Sequence, residues 1–113
     1  MILYGLSTCD SCRKILKVLR NSGFEPEFVD VRSDGVPGPE LERFHAAFGA
    51  ELLNKQSTTW RGLNDEDRKR PQVALISAYP TLMKRPVIEE GARLTLGWSA
   101  DTAAMWLAVG AGV

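Results

Sequence analysis

Cys9 and Cys12 are the only cysteines in the chain. Three positions apart, they cannot staple distant parts of a fold, yet they can bond each other across one helical turn. A single Cys-x-x-Cys offers two metal ligands, whereas a structural zinc site takes four. His45 is the lone histidine, and no second Cys-x-x-Cys exists to complete a set. The pair is therefore read as redox chemistry rather than as a metal site, as expected for Cys-x-x-Cys near a strand and a helix in an intracellular protein. The nucleophile in such chemistry must be a thiolate.

The flanking residues say how one would be held. Ile2-Leu3-Tyr4, closed by Gly5, reads as a short buried strand. Cys12, Ile15, Leu16 and Leu19 fall on one helical stripe, and Gly23 marks its end. Cys9 thus sits where strand passes into helix. There the unpaired N–H groups of the first turn act like roughly half a positive charge. Residues 1–23 also carry Arg13, Lys14, Lys17 and Arg20 against Asp10 alone. Both effects predict a Cys9 pKa below the usual thiol value of about 8.5. Cys12 continues the apolar stripe and should be buried. It either resolves a mixed disulfide formed at Cys9 or is a small buried hydrophobe. Asp10 either caps the helix or joins the chemistry. Thr8 and Asp10, which flank Cys9, are counted as candidate substrate- or anion-binding residues.

The remaining chain supplies the frame. Glu27–Val31 reads as a second strand, so strand, helix and strand imply a right-handed crossover with parallel pairing. Residues 33–39 form a loop. Pro39 then opens a helix with its stripe at Leu41, Phe44, His45 and Phe48, ending at Gly49. Leu52-Leu53-Asn54 is expected as a short helix. Thr58–Arg61 and Asn64–Asp67 read as polar helix starts, and Val73, Leu75, Ile76 and Tyr79 as a helix stopped by Pro80. Val87–Glu89 and Arg93–Leu96 should form an antiparallel hairpin about Glu90-Gly91. Ser99 caps a last helix in which Ala103, Met105, Trp106, Leu107 and Val109 pack, up to Gly110. His45 is assigned a packing or surface role, and Trp60, Trp98 and Trp106 are assigned mainly to the core. One mixed four-stranded sheet with helices on both faces satisfies this order. It is an α/β architecture resembling the thioredoxin-like fold, one domain over 1–113 with a helical insertion at about 39–80. In such folds a cis proline precedes the third strand and lies against the active cysteine. Pro86, in Lys84-Arg85-Pro86-Val87, takes that place, and Arg85 beside it would stabilise the thiolate or bind an anion.

Composition narrows the function classes. The chain has 113 residues, with 14 basic and 14 acidic side chains in balance. Bulk charge therefore offers no direct nucleic-acid partner and no membrane surface. No apolar run reaches the roughly 18 residues of a membrane span, and no signal peptide is expected from the opening residues. The cytoplasm is the expected compartment.

With Cys9, Thr58-Thr59-Trp60-Arg61, Lys84-Arg85-Pro86 and Leu96-Gly97-Trp98-Ser99 in this order, the chain resembles the arsenate reductase-like family. That family includes glutaredoxin-coupled arsenate reductases, Spx regulators and small YffB-type proteins, the last being nearest in motif. The resemblance spans Tyr4 to about Trp106. It implies a nucleophile at Cys9, an arginine before a cis proline at Arg85 and Pro86, and no tightly bound cofactor. Glutathione would be the co-substrate, and glutathione or glutaredoxin the partner. Of the three anion-binding arginines in the arsenate reductases, only Arg85 is present. The other two positions fall on Asn54 and about Leu96, and Arg61 is a candidate substitute. The reading is a glutathione- or glutaredoxin-linked thiol–disulfide reductase. The alternatives are an Spx-like redox regulator that binds RNA polymerase and a glutaredoxin-coupled arsenate reductase.

Overall fold

The computed structural model describes residues 1–111, with side chains to Leu107. Four short strands, β1 (Ile2–Gly5), β2 (Glu27–Asp30), β3 (Val87–Glu90) and β4 (Arg93–Leu96), form one sheet in the order β2-β1-β3-β4. β1 runs parallel to β2, with Gly5 opposite Asp30, and antiparallel to β3, with Tyr4 opposite Val87. The β3–β4 hairpin turns at Gly91, whose φ of 60° suits glycine. This is the mixed thioredoxin-like sheet with flanking helices that the element order implied.

Helix α1 (Asp10–Asn21) connects β1 to β2. Its stripe buries Cys12, Ile15 and Leu19, while Leu16 is half-buried. It ends in a Schellman pattern: Phe24 N–H donates to Leu19 O and Gly23 N–H to Arg20 O, with Gly23 at φ 97°. Leu3, Ile15, Leu19, Ile88 and Trp106 form the core around β1, joined by Phe24, Phe28 and Trp98 at its margin. The last helix, α6 (Ala100–Ala111), is capped by Ser99, whose Oγ accepts from Thr102 N–H at 3.2 Å. Trp106 is its buried anchor. Met105, expected in the core, is 48% exposed. Successive helical residues differ by about 100°, so turning Trp106 inward turns its neighbour out. The expected packing of Val109 lies outside the described side chains, and α6 continues past the expected stop at Gly110.

By its internal contacts the chain divides into two compact units, residues 1–30 with the chain from Arg85 onward, and Val31–Lys84. The helical segment expected at about 39–80 falls within the second. There α2 (Gly38–Phe48) buries Leu41 and Phe44 completely, while His45 is exposed, its Nδ1 2.9 Å from Gln72 Nε2. Leu52-Leu53-Asn54 is not a helix. A 3₁₀ turn over Gly49–Leu52 ends on its first residue, and Leu53 is extended and bridges to Met83. Three residues are too few to nucleate a helix. Their backbone groups instead bond across: Lys84 N–H to Leu52 O at 2.7 Å and Asn54 N–H to Leu82 O at 2.8 Å. Ser57 caps α3 (Thr58–Gly62) and Asn64 caps α4 (Asp65–Arg68). In α5 (Gln72–Ala78), Leu75 and Ile76 are buried. Among the described residues no helix is long and apolar enough to cross a membrane.

Candidate active site

The β1–α1 junction carries the candidate nucleophile. Past Gly5 the chain leaves the sheet at buried Leu6, turns through exposed Ser7 and Thr8, and enters α1 with Cys9 as the N-cap. Two sets of bonds hold this turn. Cys9 N–H donates to Leu6 O at 3.1 Å. Asp30, at the end of β2, accepts from both Ser7 N–H (2.9 Å) and Ser7 O–H (2.6 Å) on Oδ2. Because Asp30 is the ladder partner of Gly5, the β1–β2 register brings its carboxylate to this turn.

Replacing Asp30 with alanine should therefore loosen the junction while leaving the sheet formed. Two charge-assisted bonds at an exposed site correspond to about 1–2 kcal/mol. Amide hydrogen exchange at Ser7 to Cys9 should accelerate, with little change at Leu3 or Ile88. Unchanged exchange in the turn would rule the clamp out.

Cys9 is half-buried and Cys12 is 1% exposed, and both are free thiols. Burial alone would push the Cys9 pKa up. It is outweighed by the Cys12 and Ser11 amides, by the Cys12 thiol and by the Arg85 charge, so the net shift is downward. No capping hydrogen bond closes on the sulfur, and the first-turn amides act on it as oriented dipoles. At Cys12 burial dominates and the pKa rises. The adjoining Cys9 sulfur adds to the rise, while the Leu6 amide and Arg85 oppose it. The two thiols are thus pushed apart: half-buried Cys9 toward the thiolate and enclosed Cys12 toward the thiol.

Arg85 is half-buried, and its charge acts on both sulfurs. The Arg85–Pro86 peptide bond is cis, as expected. Pro86 is buried, and its carbonyl accepts from Gly97 N–H at 2.8 Å, linking it to the end of β4. Cys9, Cys12 and Arg85 are thus brought together. Thr8 is exposed in the turn before Cys9. Asp10 stands at the first helical position, so it does not cap α1. It pairs with Arg13 where both side chains are well exposed, a contact of little energetic weight.

Arg61 is exposed in α3, within the Val31–Lys84 unit. The described contacts of its motif are architectural. Arg68 donates to Trp60 O and Arg61 O and lies 5.3 Å from the Trp60 ring centroid, and Lys55 lies 5.7 Å from it. In the same unit Asn54 Oδ1 accepts from Gln56 N–H at 3.0 Å. Leu96 is half-buried in β4 opposite Val87.

Sequence reading missed Ser7 and Asp30. The polar turn was visible, but nothing local paired it with a residue 23 positions away. It also missed a groove of about 270 Å³ lined by Ser11, Lys14, Ile15, Val18 and Trp98. The groove starts in the first turn of α1 and includes Val18, which is 38% exposed. Only Trp98 lies beyond α1, so the helical stripe alone could not reveal a second wall. Among the described residues no three His, Cys, Asp or Glu side chains gather to hold a metal ion.

The ArsC family profile matches residues 4–105. An uncharacterized protein of Haemophilus influenzae is 33% identical over 102 residues, 86% of this chain and 90% of that one. The global transcriptional regulator Spx 2 of Bacillus cereus is 26% identical, over 89% of this chain and 82% of its own. The solved structure of the YffB protein superposes with a TM-score of 0.83 at 31% identity, covering 94% of this chain and 97% of that one.

Proposed function

Because the chain belongs to the ArsC family, we propose that it is a thiol-dependent oxidoreductase, a glutathione- or glutaredoxin-linked thiol–disulfide reductase with Cys9 as nucleophile. One observation carries the reading. A half-buried cysteine at a helix N-terminus has its ionised form favoured by amide dipoles, a buried thiol and Arg85, while the second cysteine of the pair is fully enclosed. Cys9 thiolate attacks a disulfide. A bond from Cys9 Sγ to one substrate sulfur forms, the substrate S–S bond breaks, and the departing thiolate takes a proton from solvent. The mixed disulfide is then resolved in one of two ways. Cys12 gives up its proton and attacks Cys9 Sγ; the Cys9–Cys12 bond forms, the bond to the substrate sulfur breaks and that sulfur leaves as a thiolate, and two external thiols then reduce the Cys9–Cys12 disulfide. Alternatively, where the substrate is a mixed disulfide with glutathione and Cys9 has taken its glutathionyl sulfur, a second glutathione attacks that sulfur, glutathione disulfide forms and Cys9 leaves as thiolate. Either route reduces the substrate by two electrons taken from thiols and needs no tightly bound cofactor. Arg85 holds an anionic part of the substrate, and the groove from Ser11 to Trp98 gives room for its body, with Lys14 as a second cation. Thr8 and Asp10 keep substrate contact as their proposed role. A pair of free thiols suits the reducing cytoplasm.

The pH dependence of Cys9 alkylation tests this. A thiol with lowered pKa reacts through a thiolate already populated below the usual midpoint, so the rate should level off early as pH rises. A midpoint at or above about 8.5 would remove the basis of the proposal. Mass spectrometry after treatment with oxidised glutathione separates the two routes. An intramolecular disulfide indicates Cys12 as resolver, and a stable adduct on Cys9 indicates an external thiol.

The similarity to Spx 2 favours one other reading, a redox regulator switched by a Cys9–Cys12 disulfide and binding RNA polymerase. Polymerase retained by reduced protein and released on oxidation would establish it, and no retention would exclude it. Arsenate reduction is the weaker alternative, because the resemblance places two of the three arginine positions on uncharged residues, Asn54 and about Leu96. Purified protein with arsenate, glutathione and glutaredoxin decides that directly.

A further inference from the structure

We propose that Gly5 is a positioning residue of the thiol pair: its missing side chain forms the seat that holds the Cys12 sulfur against Cys9. A Cβ built on Gly5 would lie 2.8 Å from Cys12 Sγ, 3.3 Å from Cys12 Cβ and 3.2 Å from Leu3 Cδ2. Ordinary carbon contacts lie near 3.5–4.0 Å, so the first of these distances cannot be met without movement. The backbone does not ask for glycine here. Gly5 is not among the glycines of positive φ, and it sits in regular register opposite Asp30. Glycine in a strand weakens the strand and marks a close approach. Here the approaching atom is a buried sulfur, on a helical residue with few alternative rotamers.

A methyl group at position 5 would turn Cys12 Sγ out of its seat and away from Cys9. The Cys12 thiol could then neither donate toward the Cys9 thiolate nor reach it to close a disulfide. Gly5 thereby acts on the chemistry without touching the substrate. The proposal rests on Cys9 and Cys12 acting as a redox pair, as above.

The test is a double-mutant cycle read on Cys9. Gly5→Ala, Cys12→Ala and the double variant are alkylated with iodoacetamide across a pH series, and the fraction of Cys9–Cys12 disulfide in glutathione buffer is measured where Cys12 is present. Gly5→Ala should raise the alkylation midpoint by roughly half a pH unit or more, about threefold less thiolate at neutral pH. It should also deplete the intramolecular disulfide. On the Cys12→Ala background the same change should do nothing further. No effect of Gly5→Ala on either readout, or an equal shift with and without the Cys12 sulfur, overturns the proposal. If Gly5→Ala alone folds poorly, the double variant should melt at a higher temperature, since the obstructing sulfur is gone. Equal melting of the two would also overturn it. None of these readouts uses substrate turnover, so a native protein without reductase activity would discard the reductase reading and leave the seat standing.

Discussion

Replacing Cys9 with serine is expected to lower disulfide-reductase turnover by on the order of a thousandfold or more, to background. The hydroxyl is nearly isosteric with the thiol, so the fold and the groove stay intact. The loss is chemical. An alcohol is essentially un-ionised near neutral pH, and the dipoles at the start of α1 that favour a thiolate cannot make a serine alkoxide. Turnover is measured with a mixed disulfide substrate and glutathione as reductant. Circular dichroism on the same sample establishes that the variant is folded. Cys12→Ser is the informative companion. If Cys12 resolves, it traps substrate on Cys9; if glutathione resolves, turnover survives. Activity of Cys9→Ser within tenfold of the native protein would show that another group is the nucleophile.

Trp106→Ala should bring the largest loss of stability. The indole is 1% exposed, within the cluster of Leu3, Ile15, Leu19 and Ile88. Its Nε1–H donates to Thr95 Oγ1 at 2.8 Å, Phe24 meets it edge-on at 6.2 Å, and the Arg93 guanidinium lies 5.1 Å from its ring centroid. Removing an aromatic of this size from a core costs about 3–5 kcal/mol. Whole domains of this size hold only about 5–15 kcal/mol. At about 4–6 °C per kcal/mol, the melting temperature should fall by roughly 15 °C or more. Trp106→Phe keeps most of the apolar area and removes the hydrogen bond, leaving Thr95 Oγ1 in a buried site without its donor. A loss of about 1–3 kcal/mol is expected there. Thermal unfolding of both variants gives the comparison. A loss below about 1 kcal/mol for the alanine variant would mean that α6 does not anchor the sheet.

The apolar periodicities were dependable where burial was one-sided and local. The run from Cys12 to Leu19 defined α1; Arg93–Leu96 is a strand as expected, but its buried residue is Thr95 rather than Leu94 or Leu96, because Thr95 Oγ1 accepts the Trp106 indole N–H. They failed where the partner lay elsewhere in the chain. Leu53 left the expected helix because Met83 offered a bridge, and Met105 turned outward once Trp106 claimed the interior. Asp10 illustrates a third case. Its residue type suits a cap, but the phase of the helix makes Cys9 the N-cap and leaves Asp10 in the first turn.

The candidate site divides along the same line. Placement of Cys9 at a helix start and burial of Cys12 three residues on follow from the order of side chains, because helix phase and first-turn dipoles are set within four neighbours along the chain. What surrounds the two sulfurs does not follow from that order. Asp30 reaches Ser7 through strand register, the Arg85 charge acts on both thiols, and Gly5 leaves the space that Cys12 Sγ fills. The first needs β2 registered against β1, the second the segment leading into β3, and the third α1 folded back against β1. Side-chain type alone cannot encode which distant atom arrives at a given point, since that depends on how the strands align once the core has closed.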